Sequence, residues 1–251
     1  MKDEIKSRIG RLGGIARVRQ YGNPGTRDGR VRGGRRSIKV HQRSQTGFKT
    51  LQYPALPRRS CILAELLGIL AGDGHVNKYQ ISVTTNSTTD LAHAMYIKCV
   101  LMHLFHLHVS LTKQRGAQAV TVLLSSKNVC DFLSALGVPL GNKTIHQITP
   151  PTWIIRNAPY SRAYLRGLID TDGSVYLDRH IKKGRLYSSI CISFTNASVP
   201  LLDFAERTMR SCGLTPTRSG LSVRLRKRKD VHNYARMIGF QNPKHAAKIT
   251  V

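Results

Sequence analysis

The chain has 251 residues, and its 40 lysines and arginines against 13 acidic residues give it a net charge of +27. This length allows one large domain or two smaller ones, and an apolar fraction of 41% is enough for a packed core, which excludes a wholly disordered chain. The longest apolar stretch, Cys61–Gly72, is much shorter than the ~18 residues that a membrane-spanning helix needs.

The five cysteines are scattered and never spaced as CxxC, which argues against a disulfide scaffold or a zinc ribbon. The N-terminus has no apolar segment of the kind found in secretory signals. We therefore expect a protein that is not secreted and that works in the cytoplasm, associated with the nucleoid, or in an organellar matrix.

The excess of positive charge indicates a polyanionic partner, and nucleic acid is the most common one. Such binding is driven partly by counterion release and weakens with salt. A basic ribosomal or chromatin protein and a lipid-surface binder have similar charge, so composition leaves these alternatives open.

Residues 1–60 are predicted to form a basic N-terminal arm. They contain 16 lysines and arginines against three acids, and two similar Gly/Arg pieces, GRLGGIAR at Gly10–Arg17 and GRVRGGRRS at Gly29–Ser37. Such a composition seldom forms a packed core. The arm either follows phosphates and folds on binding, or is a flexible tail without specific contacts.

The rest of the chain contains an internal repeat of about 100 residues, which is too long for a solenoid unit. LLGILAGDG at Leu66–Gly74 aligns without a gap with LRGLIDTDG at Leu165–Gly173. Weaker similarities follow, between VTTNSTTDL and SFTNASVPL and between LGVPLGNK and IGFQNPK. The repeat indicates a duplicated domain, with the two copies at 61–150 and 151–251.

Each repeat has the same order of predicted elements, α-β-β-α-β-β-α. An apolar helix ends at Asp-Gly, a strand pair and an amphipathic helix follow, and a second strand pair leads to a short final helix. The more distinct of these segments are Tyr79–Thr85, Asp90–Phe105 and Ala119–Ser125 in the first repeat and Ser188–Thr195, Leu201–Cys212 and Val231–Ile238 in the second.

Small residues recur at every fourth position of the first helix in each repeat, so they share one face. They are Ala64, Gly68 and Gly72 in the first repeat and Ala163, Gly167 and Thr171 in the second. A glycine inside a helix costs about 1 kcal/mol relative to alanine. We therefore predict a close helix–helix interface at Ala64, Gly68, Ala163 and Gly167.

Both of these helices end at an aspartate, Asp73 or Asp172, followed by a glycine that is an ordinary helix stop signal. A carboxylate at the negative end of a helix is unfavourable. If the helices pack in parallel, the two carboxylates also approach each other. Binding of a divalent metal would use such a pair, because Mg²⁺ prefers oxygen ligands. Two such ions can activate water and stabilise a leaving 3′ oxygen in phosphodiester hydrolysis.

The two nonapeptides resemble the paired motifs of the LAGLIDADG homing endonucleases, in their single-chain, two-repeat form. LRGLIDTDG is a close match, whereas LLGILAGDG has Ala71 where the motif has its first aspartate. The resemblance covers residues 61–251. It implies an α+β fold of two pseudo-symmetric αββαββα repeats, with antiparallel sheets that form a DNA-binding saddle and with the motif helices at the interface.

The resemblance also implies a function. It indicates a monomeric enzyme that cleaves both strands of double-stranded DNA at a long asymmetric site with Mg²⁺ or Mn²⁺, as the homing endonuclease of a mobile intron does. Asp73 and Asp172 would be the catalytic metal ligands, helped by the main-chain carbonyls of Gly72 and Thr171. The alternatives are a non-cleaving member of the family, either a maturase that binds intron RNA or a DNA-binding regulator, and an unrelated ribosome-associated protein.

Family active sites also keep a basic residue near the end of each repeat. Lys143 and Lys244 occupy matching places here and are the candidates for this catalytic role. Asn86 and Asn196 lie at matching strand ends, where they could contact bases, order water or merely terminate a strand.

Strand side chains are expected to read the DNA, because a two-stranded β-ribbon fits the major groove. In LSVRLRKRK at Leu221–Lys229, alternation places Val223 and Leu225 on one face and the arginines on the other. The basic residues predicted to bind DNA are Lys113, Arg115, Arg179, Lys182, Lys183, Arg185, Arg224, Arg226 and Arg228.

Overall fold

The computed structural model describes residues 2–23, 25–44, 53–141, 147–182 and 185–249. The chain divides into two compact units, Met1–Leu51 and Gln52–Val251. Within the described residues, no helix has both the length and the apolar character needed to cross a membrane.

The first unit consists of two helices, α1 (Lys2–Tyr21) and α2 (Arg27–Ser44). Its apolar side chains remain substantially exposed, as at Leu12 and Val40. Between the helices, the guanidinium of Arg36 lies 5.2 Å from the ring centre of Tyr21. The composition of this segment indicated an arm without a packed core and did not predict the helices. Arginine is a good helix former, which offsets part of the cost of the glycines.

The second unit contains both repeats. The first consists of α3 (Cys61–Gly72), β1 (Gly74–Val76), β2 (Gln80–Asn86), α4 (Leu91–Phe105), β3 (Val109–Lys113), β4 (Ala119–Ser125) and α5 (Lys127–Ala135). The second consists of α6 (Thr152–Ile155), α7 (Ala158–Asp172), β5 (Gly173–Lys182), β6 (Arg185–Thr195), α8 (Val199–Ser211), β7 (Thr217–Ser219), β8 (Ser222–Leu225), α9 (Arg228–Met237) and α10 (Pro243–Ala246).

Each repeat contains one antiparallel four-stranded sheet, in the order β1-β2-β4-β3 or β5-β6-β8-β7. The predicted fold class is confirmed, since both repeats follow the α-β-β-α-β-β-α order. The short helices α6 and α10 were not predicted. The second repeat also has a longer first hairpin, because β5 and β6 pair from Gly173–Phe194 out to Lys182–Arg185.

Local sequence explains where the two motif helices begin. The Ser60 hydroxyl accepts a hydrogen bond from the Leu63 amide at the start of α3. The Asn157 side chain does the same for the Tyr160 amide at the start of α7. Both are ordinary N-cap contacts, which satisfy amides that have no partner within the helix.

The motif helices α3 and α7 run in parallel and pack backbone against backbone. A Cβ added at Gly68 would lie 2.2 Å from the Tyr164 carbonyl oxygen, and one at Gly167 would lie 2.4 Å from the Glu65 carbonyl oxygen. Only glycine permits this approach. The leucines of both helices point into the core, as the fully buried Leu66 and Leu165 show.

Candidate metal site and nucleic-acid surface

The two motif aspartates, Asp73 and Asp172, lie where the parallel helices end. Asp73 caps α3 and is exposed, and Asp172 is the last residue of α7 and is half-buried. A Cβ added at Gly72 would lie 2.0 Å from the Thr171 hydroxyl oxygen and 3.4 Å from Asp172 Cγ. The end of α3 therefore lies directly against the end of α7, which brings Asp172 next to the residue that precedes Asp73.

Asn196, at the end of β6, orients the Asp172 carboxylate. Its Nδ2 donates to Asp172 Oδ2 at 2.8 Å, while its Oδ1 accepts from the Ser198 amide at 2.8 Å. The asparagine is thus held by the backbone on one side and holds the carboxylate on the other. This contact joins two residues that the sequence analysis had singled out separately.

Asn86 stands at the matching position of the first repeat and makes different contacts. Its Oδ1 accepts hydrogen bonds from the Thr88 amide at 2.8 Å and the Thr89 amide at 3.0 Å. This is an Asx turn, which ends β2 and leads into α4. Asn86 thus terminates a strand, and Asn196 also holds the Asp172 carboxylate. A DNA contact by either asparagine stays a prediction.

The donor atoms at the two helix ends fit a hard divalent cation. They are carboxylate oxygens, with the main-chain carbonyls of Gly72 and Thr171 as the predicted additional ligands. In the described part of the chain, no group of three or more His, Cys, Asp or Glu side chains is arranged to hold a metal. The remaining ligands would have to be water and substrate phosphate, which is the usual arrangement for Mg²⁺.

Asp170, the first aspartate of the second motif, has a different environment. It is almost fully buried, and its Oδ2 accepts a hydrogen bond from the Gln241 amide at 2.8 Å. Burial raises the pKa of Asp170 to about 7. The side chain therefore ties the C-terminal segment to α7. Ala71 at the corresponding place in α3 instead lines a small apolar cavity with Val138 and Pro139.

Of the two predicted catalytic lysines, the structure describes the contacts of only one. Lys143 lies outside the described residues. Lys244 Nζ bonds to Asp90 Oδ1 at 2.7 Å, at the start of α4 in the other repeat. Although burial alone would raise it, hydrogen bonds from Lys244, Asn242 and Thr89 hold the pKa of Asp90 below its usual value. Lys244 thus links the two repeats, and its catalytic role stays a prediction.

Each sheet has one face packed against helices and one open, polar face. In the first sheet, Ile81 and Val83 are buried among the helices, whereas Thr84 lies on the open face and shares a 2.9 Å hydrogen bond with Thr121. In the second, the face away from the helices includes the half-buried Tyr176, which lies opposite the fully buried Cys191. Open polar strands of this kind suit the edges and phosphates of a nucleic acid.

The strand register places the predicted DNA-binding residues at different sites. Arg224 lies on the open face, opposite Ser193 and Thr217, and Arg226 follows just beyond the strand. Arg115 is exposed in the turn after β3. Lys183 lies outside the described residues, and Lys182 and Arg185 are described only as a backbone pair at the hairpin tip.

Three of these residues do not lie on an open sheet face, and their DNA-binding role stays a prediction. Lys113 pairs with Val120 and Arg179 with Ser188, so both lie on the helix side of their sheets rather than on the open face. Alternation does not continue to Arg228, because β8 ends at Leu225 and Arg228 is the first residue of α9. Asp230 in the first turn of α9 stabilises that helix start, since a carboxylate is favourable there and it accepts a hydrogen bond from the Thr215 amide at 3.1 Å.

Sequence analysis missed an ion pair between the motif helices. Glu65 of α3 is buried, binds the guanidinium of Arg166 in α7, and accepts a hydrogen bond from the Tyr96 hydroxyl at 2.8 Å. The sequence feature that could have indicated this ion pair is Glu65 itself, a single acid within an otherwise apolar helix. The pair joins the repeats at a distance from the helix ends, so it has a structural role.

Comparison with known proteins agrees with this architecture. Residues 159–240 match the sequence profile of the LAGLIDADG-like domain. The crystal structure of I-DmoI in complex with DNA and Ca superposes with a TM-score of 0.51 at 18% identity, over 74% of this chain and 96% of that one. The K262A mutant of I-SmaMI superposes with a TM-score of 0.50 at 12% identity, over 74% and 87%.

At these identities the solved structures establish the fold. Residues 159–240 match a LAGLIDADG-like domain, and the two repeats together have the fold of I-DmoI and I-SmaMI. The resemblance drawn from the two nonapeptides is confirmed.

Proposed function

We propose that this protein is a site-specific endonuclease that hydrolyses both strands of double-stranded DNA with a divalent metal. The observation that carries the proposal is the pair of intact aspartates at the adjoining ends of α3 and α7, with Asp172 oriented by Asn196. Stability alone disfavours acids at these positions. A structure of the same fold was determined with DNA and Ca, which supports divalent-metal use.

Each residue of the candidate site has a separate role in the proposed reaction. Asp73 and Asp172, with the carbonyls of Gly72 and Thr171, would hold Mg²⁺ or Mn²⁺. The bound metal would activate a water molecule and stabilise the leaving 3′ oxygen. Asn196 keeps the Asp172 carboxylate in one orientation. The open sheet faces, with Arg224 and Arg226, would hold the duplex so that one phosphodiester of each strand lies at the helix ends.

Finer features follow from the same proposal. Both motif helices belong to one chain and pack against each other, so a monomer can supply both acids. A long asymmetric site is expected because the two sheets differ in sequence and in hairpin length. We further propose that the enzyme serves the homing of a mobile intron and that it acts inside the cell, on the nucleoid or in an organellar matrix.

A cleavage selection tests the proposal. The protein is incubated with a randomised duplex library and Mg²⁺, and the newly formed ends are sequenced. Recurrent ends at one long site are expected from the wild type and from Asp131→Asn, whose acid is exposed on α5. Asp73→Asn and Asp172→Asn should each abolish them. Intact DNA or intron-RNA binding without any cleavage by the wild type would favour the regulator or the maturase instead.

A further inference from the structure

The open face of the first sheet has an apolar side chain near its centre. Leu123 lies in β4, one of the two central strands, and its neighbours along the chain, Val122 and Leu124, are fully buried on the helix side. Across the sheet, Leu123 lies opposite Ser82 of β2 and Ser110 of β3, and its side chain is half-buried. Leu123 therefore forms an apolar surface in the middle of a polar face.

In the four strands of the first sheet, which are described throughout, no lysine, arginine, aspartate or glutamate occupies the open face. Its other residues are His75, Gln80, Thr84, Asn86, Thr112, Ala119, Thr121 and Ser125. Because phosphates are bound mainly by lysine and arginine, those of a bound duplex would be held by basic residues beyond this face, such as Arg115 in the turn after β3. The middle of the face is then available to base edges, as for a β-ribbon in the major groove.

A leucine side chain distinguishes base edges by their apolar groups, since it neither donates nor accepts hydrogen bonds. In the major groove, guanine presents N7 and O6, adenine presents N7 and its amino group, and cytosine presents its N4 amino group. Covering these polar atoms with an apolar side chain leaves them without a hydrogen-bond partner, which is unfavourable. Thymine alone presents an apolar group, its C5-methyl. Burial of one such group strengthens binding by about fourfold.

We propose that Leu123 is a specificity-determining residue that contacts the C5-methyl group of one thymine, in the half of the target site bound by the first repeat. This inference rests on the proposed function in that it requires DNA on the open face, but it does not require cleavage. The competing explanation is that Leu123 only fills the space between Ser82 and Ser110. A filling role would change stability, or affinity for all sequences alike, whereas methyl recognition changes the preference at one position.

The first part of the test is a binding selection with the full-length protein, a randomised duplex library and Ca²⁺. Leu123→Ser shortens the side chain, and Leu123→Gln keeps its length but makes its end polar. Both should lose a thymine preference that wild type shows at one position and keep the preferences at the other positions. Met102→Ser is the control, because it removes an exposed apolar side chain from α4, and it should select the same bases as wild type. Unchanged thermal unfolding profiles of both Leu123 variants separate loss of the contact from misfolding.

The second part changes the methyl group alone, on the selected site. Deoxyuridine in place of the preferred thymine removes the methyl group and keeps the base pair, and it should weaken wild-type binding by about fourfold. At the same position, 5-methylcytosine should bind more tightly than cytosine by a similar factor. Neither change should affect binding by Leu123→Ser. Deoxyuridine at a thymine in the other half of the site measures any general effect of the methyl group on DNA shape.

Equal responses of wild type and Leu123→Ser to loss of the methyl group, with or without a general loss of affinity, would overturn the inference. The selected site is then incubated with wild type and Mg²⁺. If binding depends on the methyl group through Leu123 but no strand is cut, the endonuclease proposal fails while the role of Leu123 stands. If the site is cut and the Leu123 variants select the same bases as wild type, the reverse holds.

Discussion

Asn196 and Asn86 occupy matching places in the two repeats, but Asn196 is hydrogen-bonded to the Asp172 carboxylate, whereas Asn86 is hydrogen-bonded to the amides of Thr88 and Thr89. A hydrogen bond to a charged group contributes about 1.5–3 kcal/mol, and 1.4 kcal/mol corresponds to a tenfold change in rate. Asn196→Ala should therefore slow cleavage of one strand by about tenfold or more and leave the other strand much less affected. Strand-specific nicking of a doubly labelled duplex measures this.

The matched control for that experiment is Asn86→Ala. Its amide contacts the backbone of Thr88 and Thr89, so the change should lower stability by about 1 kcal/mol without a strand bias. Equal slowing of both strands by Asn196→Ala would contradict the role assigned to that residue.

Asp170 makes folding stability depend on pH. Burial raises its pKa from 3.8 to about 7, so the folded state retains a proton that the unfolded chain loses. Its stabilising contribution is complete below about pH 4 and is lost as the pH rises through 7. The stability of Asp170→Asn relative to wild type should therefore increase between pH 5 and pH 8, by on the order of a few kcal/mol.

Urea unfolding of both proteins at the two pH values measures this difference. Asp131→Asn is the control, because its acid is exposed on α5 and should give no comparable change. A constant difference between Asp170→Asn and wild type would show that the buried carboxyl is already ionised at pH 5.

Among the elements, the α3–α7 pair determines the geometry of the candidate metal site. Gly68→Ala would put a methyl group 2.2 Å from the Tyr164 carbonyl and force the helices apart. We expect a loss of about 2–3 kcal/mol in stability, as for overpacked cores. Gly13→Ala in α1, which meets nothing within 4 Å, should be neutral or stabilising by up to about 1 kcal/mol. Thermal unfolding distinguishes the two, and equal behaviour would argue against backbone contact at Gly68.

The longer β5–β6 hairpin is the main difference between the two sheets. It extends the second sheet beyond the length of the first, and it carries Asp178 on its open face and Arg179 on the opposite face. Two sheets that differ in this way would contact unlike half-sites. This element therefore favours an asymmetric target over a palindromic one.

For the whole molecule, charge is shared between the two units, and 14 of the 40 basic residues lie within residues 1–51. Deleting residues 1–51 should weaken DNA binding and reduce its dependence on salt concentration, since fewer phosphates are contacted. The base preferences should not change, because the open sheet faces lie in the second unit. Binding titrations at about 50 and 200 mM salt measure the slope. Loss of sequence preference on deletion would place base reading in the first unit.

Much of the site could be predicted from the sequence because its signals are local and repeated. The nonapeptides contain Asp73 and Asp172, and the spacing of Gly68 and Gly167 already indicates helices in contact. The DNA-binding prediction for Lys113 and Arg179 rested on basic residues near strand ends, and each of them sits one residue out of phase with the open face of its strand. The composition near a strand end does not show on which face of the sheet a given residue lies, because that depends on the strand register.

Patterns within short segments of the chain were enough to predict the duplication, the order of elements in each repeat and the acidic ends of the motif helices. The folded structure was needed to show that Asn196 holds Asp172, that Lys244 of one repeat binds Asp90 of the other, and that Asp178 faces the open side. These contacts depend on strand register and on the meeting of distant segments. Both are set by the packing of the whole unit.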